Sequence, residues 1–394
     1  MAEQGFKPET YEARRVTVLG STGSVGCNTV SMLERDIDRY EIEALTARAN
    51  VRLLAEQARR LRPKIAVVSD VSRYQDLKLE LAGSGVEVAA GIEALVEAAS
   101  LPTDWVMAAI VGTAGLAPTL AAIQHGGIVA LANKECLVSA GGLFTKEVKK
   151  HGTDLLPVDS EHNGIFQVFD FEHPEEVEKI FLTASGGPFR SMSRQQMRDV
   201  TPEQAVMHPN WDMGRKISID SATMMNKGLE IIEAFHLFPI KKEQIEIVVH
   251  PQSVVHSLVS YCDGSVLAQL GIPDMRMPIA FALAWPNRFS VPVMRLDIAK
   301  IGKLTFEPPS ESLFPALRLA REVLIEGGAA PAVMNAANEV AVEGFLERRI
   351  GFLDIVEIVE RTLNKIQIRK ADTIEEISEV DKLARKFSKA LVLD

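Results

Sequence analysis

In the first third of the chain, short apolar runs of strand length alternate with segments of helical period. Arg15–Leu19, Tyr40–Thr46, Ile65–Ser69, Val86–Ala89, Trp105–Val111 and Ile128–Ala132 read as strands. Val25–Leu33 and Val51–Leu61 between them read as helices. Consecutive parallel strands must be joined by crossovers, and helices are the usual ones, so this order predicts a parallel sheet covered by helices on both faces.

The rest of the chain has a different texture. Its middle carries polar, turn-rich segments and longer strand candidates at Ile245–Val249 and Val254–Ser260, which suits an α+β domain with functional loops. Pro286, Pro292, Pro308 and Pro309 interrupt a stretch with few helical cues. Near the end, Ile374, Ile377, Leu383, Phe387 and Leu391 fall at helical spacing behind a capping box of Thr373 and Glu376. The predicted organisation is an α/β chain in four parts. Residues 1–158 form a Rossmann-like parallel sheet, 159–284 an α+β domain, 285–308 a linker and 309–394 a helical domain.

Composition removes several classes of function. With 43 basic and 53 acidic residues the net charge is −10, which repels a nucleic-acid backbone. The three cysteines, Cys27, Cys136 and Cys262, form no CxxC pair, so a reducing compartment and no structural zinc are expected. The N-terminal residues mix charges and lack the apolar core of a secretory signal, and the acids Glu3, Glu9 and Glu12 argue against a transit peptide. The uncharged run Trp105–Ile123 contains Gly112, Gly115 and Pro118, and reads as strand, loop and buried helix rather than a membrane span.

A GxxGxxG turn, Gly20-Ser-Thr-Gly23-Ser-Val-Gly26, follows the first strand. Glycines let the backbone approach a pyrophosphate, and the next helix presents unpaired N–H groups at its positive end. The same residues also suit a tight strand–helix turn without a ligand. The second strand ends in Arg48-Ala49-Asn50, with no acid to hold a ribose 2′-hydroxyl. A guanidinium there pairs with a 2′-phosphate, so NADPH is expected over NADH, unless Arg48 is only a solvated surface charge.

Asp159 and Glu161, taken as extended, would face one side as hard oxygen ligands for Mg²⁺ or Mn²⁺, or would be two acids on an exposed loop. On a helix, Lys227 and Glu230 share a face, either as phosphate and metal contacts or as an ordinary ion pair. Ser185 sits in a glycine loop and Ser221 is expected at a helix start, both good places for phosphate oxygens. His208 and Trp211 lie in a stiff HPNW segment suited to a lid, and His256 is ambiguous. No GxxxxGK[ST] motif is present, which disfavours a nucleotide kinase.

Seven segments in order, GSTGSVG, LANKE, VDSEHNGIFQ, SGGPFR, HPNWDMGRKISIDSATMMNKGLE, HPQSVVHS and MNAANEVA, resemble the 1-deoxy-D-xylulose 5-phosphate reductoisomerase family over nearly the whole chain. The resemblance implies NADPH- and metal-dependent isomerisation and reduction of 1-deoxy-D-xylulose 5-phosphate. It implies Mg²⁺, Mn²⁺ or Co²⁺ on Asp159, Glu161 and Glu230, and substrate phosphate on Ser185, Ser221, Asn226 and Lys227 with His208 nearby. Lys134 and Ser160 would touch the polar carbons, with Lys134, Glu161, His208 and Glu230 counted as catalytic. NADPH would be lined by Thr22, Gly23, Ser24, Val25, Asn133, Glu135 and Gly214, and by Arg48, Ala49 and Asn50. Trp211 would close a flap. A homodimer and inhibition by phosphonohydroxamates such as fosmidomycin are also implied. One departure stands out: many relatives carry a basic residue where this chain has Ala49.

Two other functions fit parts of the pattern. A semialdehyde dehydrogenase shares the glycine start but needs an activated cysteine. A non-catalytic NADPH-binding protein would leave the acid trio idle. No nucleic-acid or membrane partner is expected, and the cytoplasm is the expected location.

Overall fold

The computed structural model describes residues 13–207, 211 and 214–393. Their contacts form two compact units. One holds residues up to Ile110 with Pro118–Ala130 and His151–Leu155; the other holds Val111–Ala117, Leu131–Lys150 and the chain from Leu156 onward.

The first unit is built on β1 (Arg14–Leu19), α1 (Ser24–Arg35), β2 (Tyr40–Ala47), α2 (Val51–Leu61), β3 (Ile65–Val68), α3 (Tyr74–Glu80), β4 (Glu87–Ala90), α4 (Ile92–Ala99), β5 (Trp105–Ala108) and α5 (Leu116–His125). After β6 (Ile128–Leu131) come α6 (Lys134–His151) and β7 (Asp154–Pro157). The strands form a seven-stranded sheet in the order β4-β3-β2-β1-β5-β6-β7. β1 pairs in parallel with both β2 and β5, and the β2/β3 and β3/β4 pairs are also parallel. Strands buried on both faces carry unbroken apolar runs, as in Ala66–Val68 and Trp105–Ala108. The one acid buried in β2, Glu43, is matched by Lys64 at 2.7 Å.

The strand order reverses between β1 and β5, and that switch point is where open α/β sheets take ligands. The glycine turn sits there. Gly20 has φ +82, and a Cβ on it would lie 2.7 Å from the Ala109 carbonyl oxygen. A Cβ on Gly26 would lie 2.2 Å from the Gly20 oxygen, so α1 can pack on the turn only without a side chain.

No element is predicted over α6. Its Gly141-Gly142 pair weakens the helical signal, and the helix leaves helical geometry at Ala140 (φ −136, ψ 21).

The second unit continues with α7 (Ser160–Val168), β8 (Val177–Ala184), α8 (Pro202–Ala205), α9 (Arg215–Ala222), α10 (Met225–Leu237), β9 (Ile245–Val249), β10 (Val255–Tyr261), β11 (Val266–Leu270), α11 (Arg276–Ala284), α12 (Ile298–Ile301), α13 (Ala316–Glu326), α14 (Ala330–Leu346), α15 (Asp354–Lys365) and α16 (Ile374–Leu393). Its four-stranded sheet runs β11-β10-β8-β9, with β8 parallel to β9 and antiparallel to β10. α7 packs on β10 and β11, and α10 on β8 and β9. Ile180, Leu182, Ile247 and Val259 of the sheet join Ile219, Ile231, Leu317 and Phe345 of the helices in one core. The predicted cap of α16 is present: Thr373 Oγ1 accepts from Glu376 N at 3.2 Å while Glu376 Oε2 accepts from Thr373 N at 3.2 Å. Among the described residues, no helix is long and apolar enough to cross a membrane.

Candidate active site

Three helices of the second unit bring charged side chains to one place. Asp159 is the N-cap of α7, and its Oδ1 accepts from Glu161 N at 3.2 Å. Asp159 and Glu161 therefore do not lie on an extended segment as the sequence suggests. Asp159 sits on the cap and Glu161 in the first helical turn, so a helix start rather than a pleat juxtaposes them. On α10, Asn226, Lys227, Glu230 and Glu233 recur at helical spacing and present one face. Lys134 opens α6.

The contacts are close and mostly buried. Lys134 Nζ contacts Asp159 Oδ2 and lies 3.5 Å from Glu230 and 3.4 Å from Glu233. Lys227 Nζ lies 2.5 Å from Glu230 and 3.3 Å from Glu161. Asn226 donates to Glu230 at 2.5 Å, and Ser160 Oγ to Glu161 at 2.7 Å. His162 is fully buried; its Nε2 donates to the Glu230 carbonyl at 3.0 Å. Its Nδ1 faces Asp159 at 3.7 Å and Glu233 at 4.0 Å without a hydrogen bond.

Charge does not balance within this cluster. Four carboxylates, Asp159, Glu161, Glu230 and Glu233, face two ammonium groups, Lys134 and Lys227. Fully ionised, the group carries an excess of two negative charges, which low-dielectric surroundings make costly. The acids respond accordingly. Burial pushes Glu161 up to about 6 against the pull of Lys227, and repulsion from Glu230 and Asp159 adds to the rise. Burial raises Glu233 to about 7 and also raises Glu230. Asp159 is the exception: burial raises it, but Lys134, His162 and Lys227 together hold it below the usual carboxylate range. Burial opposes the charge on both lysines, and the neighbouring carboxylates outweigh it. A divalent cation would cancel the excess. One oxygen from each of Asp159, Glu161 and Glu230 lies within 4.8 Å of the others, so this trio fits such an ion.

The phosphate candidates are placed as follows. Ser185 lies just after β8, where its Oγ accepts from Gly187 N at 3.1 Å. Ser221 is near the end of α9, not at a helix start. The spacing of polar residues alone did not reveal where α9 stops. The two are nonetheless adjacent, since a Cβ on Gly187 would meet the Ser221 carbonyl oxygen at 2.8 Å. The Trp211 ring stands 6.1 Å from that of His256, whose charged form burial disfavours. His208 lies outside the described residues.

Among the dinucleotide candidates, Thr22, Gly23, Ser24 and Val25 form the turn and first residues of α1, which has no side-chain cap. The turn thus leaves N–H groups for an anion. Arg48 is exposed beyond β2, followed by Ala49. Asn50 caps α2 by accepting from Leu53 N at 3.3 Å. These belong to the first unit; Asn133, Glu135 and Gly214 belong to the second. Asn133 caps α6, its Oδ1 accepting from Cys136 N at 3.1 Å. Glu135 is buried, and Gly214 is the N-cap of α9.

Sequence reasoning missed Glu233 and His162. Glu233 lies three residues after Glu230, and His162 three after Asp159, so helical spacing could have found both. Of the three cysteines, Cys136 is buried, Cys262 exposed, and burial raises the Cys27 thiol, which gives the semialdehyde-dehydrogenase alternative no support.

Comparison with known proteins agrees. Family models match the chain at residues 16–141 (1-deoxy-D-xylulose 5-phosphate reductoisomerase), 155–238 (1-deoxy-D-xylulose 5-phosphate reductoisomerase C-terminal domain) and 270–387 (DXP reductoisomerase C-terminal domain). The 1-deoxy-D-xylulose 5-phosphate reductoisomerase of Rhodospirillum centenum is 60% identical, over 96% of this chain and 94% of its own. A solved structure of the Zymomonas mobilis enzyme in complex with NADPH is 57% identical, with a TM-score of 0.93 over 97% of this chain and 99% of its own. A structure of DOX-P reductoisomerase in complex with NADPH, fosmidomycin and magnesium is 44% identical, with a TM-score of 0.92 over 96% of this chain and 98% of its own.

Proposed function

The chain belongs to the 1-deoxy-D-xylulose 5-phosphate reductoisomerase family, and from that premise we propose how its buried carboxylate–lysine cluster serves the reaction. The enzyme converts 1-deoxy-D-xylulose 5-phosphate to 2-C-methyl-D-erythritol 4-phosphate in non-mevalonate isoprenoid biosynthesis, using NADPH and a divalent metal.

Asp159, Glu161 and Glu230 hold the metal. The observation that carries this reading is the uncompensated charge of the cluster, which a divalent ion neutralises. When bound, the metal polarises the substrate carbonyl, and NADPH supplies the hydride. The rest is done by side chains. Lys134 and Ser160 hold the polar carbons, with the Lys134 ammonium offering positive charge and a proton at Nζ. Ser185, Ser221, Asn226 and Lys227 grip the phosphate, with His208 completing the set. That remote grip orients the reacting end. Trp211 closes over the site and excludes water.

Thr22, Gly23, Ser24 and Val25 cradle the NADPH pyrophosphate, and Asn133, Glu135 and Gly214 line the remainder. Arg48 serves the 2′-phosphate next to Ala49 and Asn50. In functional terms, residues 1–158 carry the dinucleotide, 159–284 the metal and substrate, and 309–394 the helical support beyond the 285–308 linker. The protein works as a cytoplasmic homodimer. Its free cysteines suit a reducing compartment, and β11 offers an open sheet edge with exposed Val266 and Leu267.

The test follows nicotinamide absorbance with 1-deoxy-D-xylulose 5-phosphate, NADPH and Mg²⁺. Oxidation that stops with EDTA and returns with excess Mg²⁺ is expected. Turnover insensitive to EDTA would refute the metal assignment, and fosmidomycin should block the reaction.

A further inference from the structure

Away from the metal cluster, a second set of charges converges on Lys216, the second residue of α9. Its Nζ lies 2.9 Å from Asp220 Oδ2 and 3.9 Å from Glu135 Oε1. Asp220 is buried, and its Oδ1 accepts from Asn338 Nδ2 at 2.7 Å. Asn338 is fully buried in α14. The next residue, Glu339, accepts from Arg385 of α16 at 2.6 Å and from Asn335 at 3.1 Å. Burial opposes the Lys216 charge, and Asp220, Glu135 and Glu339 more than compensate. The ammonium therefore stays charged among acids drawn from α6, α9 and α14.

Glu339 has partners of its own in Arg385 and Asn335, but the other two acids lean on Lys216. Asp220 takes the neutral amide of Asn338 at Oδ1 and faces Lys216 with Oδ2. Glu135 is 5% exposed, and Lys216 is the one cation within ion-pair distance of it among the described residues. Without that charge the buried carboxylate loses its ionic partner and can turn away toward water. Such a turn spoils its aim as an acceptor for hydroxyl donors. Lys216 also stands two residues after Gly214, whose carbonyl accepts from Ser218 N at 3.0 Å in the first turn of α9. The same side chain therefore ties the start of α9 to the start of α6.

We propose that Lys216 is a positioning residue for NADPH. It holds the Glu135 carboxylate in place, and it anchors the helix start at Gly214, so that both receive the dinucleotide. Asp220 and the α14 amide of Asn338 fix Lys216 in turn, which gives the C-terminal helices a role in cofactor binding. The proposal rests on the reading above that Glu135 and Gly214 line the NADPH site.

The test measures NADPH affinity by titration calorimetry, and KM for each substrate, on full-length protein. Lys216→Met alone would strand a buried Asp220, so Lys216→Met/Asp220→Asn is the main variant, with a melting curve to check folding. It should raise the NADPH Kd about tenfold, the cost of roughly one charge-assisted contact. KM for 1-deoxy-D-xylulose 5-phosphate should stay within about twofold, since the phosphate and metal residues are untouched. Lys216→Arg should recover most of the affinity. A folded double variant with unchanged NADPH Kd overturns the proposal. Glu135→Gln separates the two readings. If it weakens NADPH while the double variant does not, only the Lys216 role fails. If it leaves NADPH binding unchanged, the assignment of Glu135 fails and the proposal falls with it.

Discussion

Gly141 of α6 lies against the imidazole of His236 on α10, so closely that a Cβ at Gly141 would come within 2.2 Å of His236 Cδ2. α6 bends at the preceding residue. Lys134 opens α6, and α10 carries Lys227, Glu230 and Glu233, so this contact sets the approach of two helices that bear the charged cluster.

Gly141→Ala should therefore destabilise the protein. An alanine gains up to about 1 kcal/mol of helix propensity, but the methyl overpacks the imidazole at a cost of about 1–3 kcal/mol. Gly142→Ala is the control, because nothing lies within 4 Å of a Cβ there. Thermal melts should show a lower Tm for Gly141→Ala and an equal or higher one for Gly142→Ala. Equal Tm values for the two would remove the packing argument.

His236 should also make stability depend on pH. Burial pushes its pKa down to about 4, whereas an unfolded histidine titrates near 6.5. Between these values the unfolded chain binds more protons than the native one. The contribution is therefore fully present above about pH 6.5 and is lost as pH falls toward 4. At pH 5 the loss is on the order of 2 kcal/mol. Comparing melts at pH 7 and pH 5, wild type should lose more stability than His236→Gln. Identical losses would mean that His236 does not titrate in this window.

The parts of the fold legible in the sequence were the local ones. Strand and helix alternation and the glycine turn depend on neighbours along the chain, and both could be read directly. The acids Asp159, Glu161 and Glu230 were legible as candidate ligands, but the geometry that gathers them was not. Whether Asp159 caps a helix or lies in a strand depends on where α7 begins, and the period of two in Asp-Ser-Glu suits both. Ser221 was misplaced because the helix break at Met224, where φ is +63, falls on a residue with no turn signature. The charge imbalance could not be counted before α6, α7 and α10 were known to meet.

Arg48→Asp should reverse or erase the cofactor preference. The Arg48 side chain is exposed at the end of β2, and its carbonyl accepts from Asp70 N at 3.0 Å. The backbone contact survives the substitution, so the fold should be kept. Replacing a guanidinium by a carboxylate turns attraction for a 2′-phosphate into repulsion. The ratio of kcat/KM for NADPH over NADH should fall by about tenfold or more. An unchanged ratio would assign the 2′-phosphate to another group.

Trp211→Ala should loosen closure over the substrate. The indole is half-buried with its ring 6.1 Å from His256, so removing it strips an apolar cover without opening the core. KM for 1-deoxy-D-xylulose 5-phosphate and the fosmidomycin inhibition constant should both rise, by about tenfold if most of the ring's contact is lost. The NADPH Kd should change less. If neither substrate nor phosphonate binding moves, Trp211 is not a lid.

Glu230→Gln tests the metal assignment through both stability and activity. Glu230 is fully buried, and burial raises its pKa. Asn226 donates to its Oε1 and Lys227 to its Oε2, so glutamine, with one acceptor oxygen, keeps one of these contacts and turns an N–H₂ toward the other donor, while the cluster goes from four acids against two lysines to three against two. In the metal-free variant the relieved negative charge and the lost acceptor act in opposite directions, so the change in Tm on adding Mg²⁺ is the informative readout. Added Mg²⁺ should raise the wild-type Tm by ligand linkage and leave the variant nearly unmoved. Turnover should drop by about a hundredfold or more, because one hard oxygen ligand is gone, while the NADPH Kd stays within about twofold. A variant with near-normal kcat, or one that Mg²⁺ stabilises as strongly as wild type, would place the metal elsewhere.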